Sequence, residues 1–205
     1  MKALFIMLFA AAILSAQTVY KVTPGTKNNK IVLTVENESN EVLMKNIRAS
    51  VAKQSSAVRF EQTEKIIDNI EKQNSKDVEF TFSVDRIVDV NKIDTLRFSF
   101  NTKSGNWVKE ILIGYELPKE FKLEQNYPNP FNPTTTIEFS IPKEGKYIMR
   151  VYNILGEIVK TLADKNYDPG YHKILLNGSD LSSGVYFYTL NGPDVNLVKK
   201  MILLK

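Results

Sequence analysis

Apolar residues along most of this chain recur at every second position, the period of strands with one face in a core and one in water. Ile31, Leu33 and Val35 alternate with polar neighbours, and so do Ile47, Ala49 and Val51. Val78, Phe80, Phe82 and Val84 repeat the pattern, followed by Leu96, Phe98 and Phe100. Thr18–Thr23, Val58–Phe60 and Val108–Tyr115 read as further strands. Turn-forming residues separate them at Pro24-Gly25, Asn37–Asn40, Asn74-Ser75 and Ser104-Gly105. Short strands at this spacing predict an antiparallel β-sandwich of general immunoglobulin-like architecture over residues 17–117. The Cys…Trp…Cys framework of antibody domains is missing. Gln62–Gln73 fits two readings. Ile66, Ile67 and Ile70 have helical spacing, but a strand suits a sandwich better.

Residues 118–125 read as a short connector, broken by Pro118, with Phe121 and Leu123 able to dock on the C-terminal domain. Residues 126–205 then open on N-Y-P-N-P-F-N-P. Each proline fixes its own φ and pushes the preceding residue toward extended backbone, so this opening is neither helix nor central strand. Phe131 is its expected anchor into a core. Thr136–Ile141, Lys146–Asn153, Ile158–Leu162, Tyr171–Leu176, Val185–Leu190 and Val198–Leu204 are the strands expected next. They predict a second small sandwich, so the fold class is all-β, with two tandem immunoglobulin-like antiparallel sandwiches. Gly156, Gly170, Gly178 and Gly184 fall where tight turns need a permissive backbone. The final strand is apolar and flanked by lysines, an edge able to pair with a receptor.

The first residues have a different pattern. Met1-Lys2 is a short positive start, Ala3–Leu14 is an unbroken apolar run, and Ser15-Ala16 is a small-residue exit before Gln17. This is the layout of a secretory signal peptide over residues 1–16. Cleavage between Ala16 and Gln17 is the first choice and cleavage after Ala12 the alternative. The run is shorter than the roughly 20 apolar residues of a membrane-spanning helix. The sequence has no second long apolar run, so no transmembrane segment is expected in the mature chain.

Composition narrows the chemistry. The 205 residues are 43% hydrophobic and 24% charged, with a net charge of +4 and no cysteine. Basic residues are interspersed with acidic ones, and nucleic acid is not an expected partner. Without cysteines there are no disulfides, thiolate nucleophiles or Cys-ligated metals, so both sandwiches stand on their packed cores. His172 is the single histidine. No G-x-S-x-G, H-E-x-x-H or phosphate-cradling glycine loop accompanies it. The expectation is a protein that is not an enzyme and holds no cofactor or metal. Two binding alternatives stay open: Asp85, Asp89, Asn91 and Asp94 as calcium ligands, against a solvated loop, and Trp107 as a sugar platform, against edge packing.

Five motifs fall in order along the last third: N-Y-P-N-P-F-N-P-T-T-T-I, N-I-L-G-E-I-V-K-T-L, G-Y-H-K, D-L-S-S-G-V-Y-F-Y and K-K-M-I-L-L-K. Together they resemble the type A C-terminal sorting domain of the bacterial type IX secretion system. The pattern is also similar to the small immunoglobulin-like domain of flagellar hook-capping proteins. The middle region loosely resembles the immunoglobulin-like modules that precede such tails. The resemblance implies export through the periplasm and across the outer membrane, ending secreted or at the cell surface. The implied partners are the secretion translocon, a sortase-like peptidase that removes the tail, and surface lipopolysaccharide as an attachment point. It carries over Asn126, Pro128, Asn129, Pro130, Phe131, Gly156, Gly170, Gly184, Tyr186, Lys200 and Lys205 as signal residues. Leu176 departs from the family, which usually has an aromatic near that strand end.

Overall fold

The computed structural model describes residues 3–7, 18–41, 43–103 and 105–205, and the regular structure among them is all strand. Among the described residues no helix is long and apolar enough to cross a membrane. The chain divides into two compact units, Met1–Glu116 and Leu117–Lys205.

The first unit holds β1 (Ala3–Met7), β2 (Val19–Val22), β3 (Asn29–Asn37), β4 (Met44–Lys53) and β5 (Val58–Phe60). It continues with β6 (Glu64–Ile70), β7 (Asn74–Val84), β8 (Asp94–Asn101) and β9 (Asn106–Tyr115). One sheet has the order β1-β3-β7-β5 and the other β2-β9-β8-β4-β6. The pairings are antiparallel except β1 with β3 and β2 with β9. The alternation decides which side chains meet. Ile31, Leu33, Phe80 and Phe82 of one sheet share a buried cluster with Leu96, Phe98, Phe100, Ile111 and Ile113 of the other. Phe80 and Phe98 lie 5.2 Å apart at their centroids, and Phe60 meets Phe98 edge-on at 5.8 Å, geometries that suit the ring quadrupoles.

The ambiguous stretch 62–73 contains a strand. β6 pairs with β4 from Met44↔Ile70 to Ser50↔Glu64. Ile67 and Ile70 are buried, while Ile66 lies on the outer face, 63% exposed. Cross-strand pairing thus overrides a spacing that locally resembles a helix. Of the residues read as a signal peptide, Ala3–Met7 runs parallel to β3, from Ala3↔Lys30 to Met7↔Thr34. The Ala16–Gln17 junction lies outside the described residues.

The second unit holds β10 (Lys122–Leu123), β11 (Thr134–Ile141), β12 (Gly145–Tyr152), β13 (Ile158–Tyr167), β14 (Gly170–Asn177), β15 (Gly184–Gly192) and β16 (Val195–Leu203). Its sheets are β10-β11-β14 and β13-β12-β15-β16. Ile137, Phe139, Ile141 and Leu176 from the first pack in one cluster with Tyr147, Met149, Val151, Tyr188, Leu190, Met201 and Leu203 from the second. Leu123 is buried in this core and the Phe121 ring lies 5.9 Å from that of Tyr147. β13 runs past the Leu162 end expected from its pattern. Register shifts opposite Met149/Arg150 and Val151/Tyr152 break its alternation, so Val159, Leu162, Ala163 and Tyr167 all lean on the core. At the end of β15, Gly192 has no room for a side chain, because a Cβ there would sit 2.3 Å from Tyr147 Cδ1.

Candidate functional site

The proline-rich opening of the second unit is a strap laid along β16. Asn126 is 1% exposed, and its side-chain amide and backbone N–H all have partners. Its backbone N–H donates to Tyr188 Oη at 2.8 Å, and Tyr188 Oη donates in turn to the Glu124 carbonyl at 2.7 Å. Asn126 Nδ2 donates to the Pro128 carbonyl and to Thr135 Oγ1, both at 3.0 Å, and Oδ1 accepts from Gln125 Nε2 at 2.7 Å. Burying an amide is tolerable only when its donors and acceptors are met in this way. The hydroxyl of Tyr188 sits in the same buried setting, which pushes its pKa up to about 12.

Further along the strap, Asn129 Oδ1 accepts from Ile202 N–H at 3.0 Å. The Phe131 N–H donates to the Ile202 carbonyl at 3.0 Å, and Leu204 N–H donates to the Phe131 carbonyl at 2.9 Å. Gln125 Nε2 donates to the Lys200 carbonyl at 2.7 Å. The peptide bonds before Pro128 and Pro130 are cis. The Phe131 ring is buried against Gly178, where an added Cβ would meet Phe131 Cε2 and Leu203 Cδ2 at 3.2 Å. A side chain at Gly178 would crowd this ring and Leu203, a packing constraint different from the turn chemistry its sequence context suggests. The edge of the last strand expected to face a receptor is, from Lys200 to Leu204, bonded to this strap.

Most of the other signal residues collect at the same end of the four-stranded sheet. Gly184 pairs with Leu203, and Lys205 N–H donates to Ser183 Oγ at 3.1 Å. Lys205 Nζ donates to the Ser179 carbonyl at 2.7 Å. Tyr186 is buried and its hydroxyl donates to the Ser182 carbonyl at 2.8 Å. Gly156, with φ of +80°, closes the turn after β12. Gly170 stands apart, paired with Ile141 at the far end of β14 from the strap. Leu176 is 1% exposed, so the position where the family usually has an aromatic is a core position here. Gln125 and Gly178 join the strap contacts from outside the five motifs, and Thr135 and Tyr188 lie within two of them without being among the signal residues.

The remaining candidates are held by local partners. Asp85 pairs with Arg59 at 3.1 Å, and Asp89 Oδ1 accepts from the Asn91 N–H at 3.0 Å. Asp94 is not a solvated loop acid but lies inside the first core. It accepts from Ser55 Oγ, from Tyr115 Oη at 2.5 Å, and pairs with Lys92 Nζ at 2.8 Å. Burial pushes the Asp94 carboxyl up, but the bonds from Lys92, Ser55 and Tyr115 outweigh it and hold the pKa below the usual range. Among the described residues no group of His, Asp and Glu converges as a metal site. Trp107 is half-buried and stacks on Phe100 at 5.7 Å. His172 packs against Tyr167 and Phe139, with Nε2 2.9 Å from the Asp168 carbonyl. Burial lowers its pKa, so the imidazole is a neutral packing group whose Nε2–H donates to that carbonyl.

A small antiparallel sandwich whose last strand is bonded to a proline-rich strap is thus the defined element of this chain. Residues 125–204 match the model of the family described as the secretion system C-terminal sorting domain. Over these residues the C-terminal unit is similar to secretion system C-terminal sorting domains. No curated protein matches the chain. Three solved structures match the chain at low identity. Dimeric latent PorU from Porphyromonas gingivalis is 13% identical, with a TM-score of 0.35, over 94% of this chain and 19% of its own. Titin A168169 is 8% identical, with a TM-score of 0.31, over 90% and 93%. CBD12 from CALX1.2 is 9% identical, with a TM-score of 0.35, over 84% and 76%. The chain spans about a fifth of the PorU structure, at 19%. The strand orders and the two separate cores define the fold.

Proposed function

We propose that this protein is a non-enzymatic cargo exported by type IX secretion, with the first unit as an adhesion, matrix or surface-layer module. The signal peptide takes the chain to the periplasm and the folded sorting domain is then read for passage across the outer membrane. A sortase-like peptidase that removes the tail, and surface lipopolysaccharide that receives the cargo, are the partners this route supplies. The carrying observation is the sorting-domain match over residues 125–204, coinciding with a unit that has its own core. The non-enzymatic reading is supported by the first unit's buried polar cluster. Ser55, Asp94 and Tyr115 satisfy one another inside the sandwich and offer no reactive group to a cleft.

Removing residues 126–205 tests this. In a bacterium with the type IX machinery, the shortened protein is expected to accumulate in the periplasm while the full chain reaches the surface or the medium. Unchanged secretion of the shortened protein would refute the sorting role.

A further inference from the structure

The outer face of the sheet β13-β12-β15-β16 carries an apolar patch that the strap and the core leave uncovered. Cross-strand register places Ile158, Tyr152 and Phe187 in one row, ending on Lys200, and Val185 beside Ile202 in the next. The turn after β12 lies at this end of the sheet and bears Ile154 and Leu155, which are 73% and 77% exposed. Ile158 is 52% exposed, and Val185 and Phe187 are 36% and 37%. Exposed apolar side chains gathered at one end of one sheet face, rather than scattered singly, are the pattern of an interaction surface.

The turn presenting Ile154 and Leu155 is rigidly built. Asn153 Oδ1 accepts from the Leu155 N–H at 2.9 Å and from the Glu157 N–H at 3.0 Å. Asn153 Nδ2 donates to Glu157 Oε2 at 2.7 Å, and the Gly156 N–H donates to the Asn153 carbonyl at 3.1 Å. Two exposed aliphatic side chains are therefore held out on a fixed frame, which lowers the ordering cost of docking them. The same face carries Arg150 and Lys200, neither in an ion pair among the described residues. Of the acids here, Asp164 is taken by Lys146 at 2.8 Å, and the Glu157 carboxylate in the turn accepts from Asn153 Nδ2.

We propose that this patch is the surface through which the sorting domain is recognised, and that its partner is a protein of the export machinery. That partner presents an apolar depression rimmed by carboxylates, complementary to Phe187 and the Ile154-Leu155 turn and to Arg150 and Lys200. Two such cations favour a protein over an anionic lipid surface, whose capture uses clusters of about four to eight. The inference rests on the sorting role and names the part of the domain that performs it.

The test uses the full chain in a bacterium with the type IX machinery. Leu155→Ser with Phe187→Ser, and separately Arg150→Glu with Lys200→Glu, are compared with Leu175→Ser. Leu175 is 69% exposed on the other sheet of the unit and serves as a control. Both patch variants are expected to lower the secreted fraction about tenfold or more, with thermal unfolding of the purified proteins unchanged, while Leu175→Ser is secreted normally. Leu155→Ser alone, on an exposed turn, is expected to fold and to lose several-fold, which covers the case where the double variant unfolds. Normal secretion of folded patch variants overturns the inference. If the chain lacking residues 126–205 is still retained in the periplasm, the sorting role survives that failure; if that chain is also secreted, both fail. Two further outcomes overturn the protein-partner assignment. One is a dimer of the purified protein that the patch variants abolish; the other is binding to phosphatidylglycerol vesicles that they abolish.

Discussion

Phe131→Ala is expected to destabilise the sorting domain by about 3–5 kcal/mol, the usual range for a phenylalanine removed from a core. The Phe131 ring is 2% exposed and fills the space left by Gly178 beside Leu203. Gly178 has no side chain to move into the void, so relaxation there is small. The backbone bonds of residue 131 to Ile202 and Leu204 do not need the ring, but the ring fixes the strap against the core that these bonds border. A domain of this size commonly has about 5–15 kcal/mol in total. The loss therefore lowers the melting temperature of this unit by more than about 10 °C. Calorimetry of the full chain reads it directly. The transition of the C-terminal unit should fall while that of the first unit stays in place, and an unmoved C-terminal transition would show that the strap is not anchored by Phe131.

The first unit should depend on Asp94 in the same selective way. Asp94→Ala strands the hydroxyls of Ser55 and Tyr115, both buried, at about 1–3 kcal/mol each. Its ionisation also sets a pH window. Folding lowers the Asp94 pKa, so the folded state holds fewer protons than the unfolded chain at low pH. The stabilisation is complete above the ordinary carboxylate value of about 3.9 and is lost as pH falls below that, through the depressed folded value. Tyr115 bounds the other side. Its burial and its bond to Asp94 push its pKa up to about 12, so its stabilisation holds below the ordinary tyrosine value of about 10 and is lost as pH rises through about 12. Denaturant titrations across pH should show this acid-side slope in the wild-type first unit and a flatter one in Asp94→Ala. Equal slopes would remove Asp94 as the cause.

Both sandwiches are legible in the sequence because their cores keep closely to the strand period. Leu96, Phe98 and Phe100 face inward at consecutive even positions, as do Ile111 and Ile113 at odd ones. One more step of the same parity reaches Asp94 on β8 and Tyr115 on β9, and the two meet in the core. In the sequence Asp94 nonetheless reads as a loop carboxylate, because a charged residue at a strand end normally marks the surface. The alternation holds the information, and the residue type hides it. Tyr188 is a similar case, sharing parity with Tyr186 and Leu190 in β15 and carrying the hydroxyl that ties down Asn126.

Other features need the third dimension. The prolines from Asn126 to Pro133 exclude helix and central strand, but nothing in that stretch says that it lies against β16. The pairing of Asn129 with Ile202 joins residues 73 positions apart. Gly192 has the sequence context of an ordinary hairpin end, and its necessity comes from the Tyr147 ring packed over it. The motif residues stand out as a family pattern, and the fold explains why most of them act together. Asn126, Asn129, Phe131, Gly184, Tyr186 and Lys205 build one end of one sheet, whereas Gly170 serves the opposite end of β14.

If the C-terminal unit is a folded export label, it should work on another protein. Residues 117–205 are fused behind a stable reporter that already carries a signal peptide, and the reporter is quantified in periplasm, outer surface and medium of a bacterium with the type IX machinery. The fused reporter is expected to leave the periplasm, and the same fusion with Phe131→Ala is expected largely to stay behind. A fused reporter that folds, keeps its tail intact and still remains in the periplasm would show that the unit is not an export label.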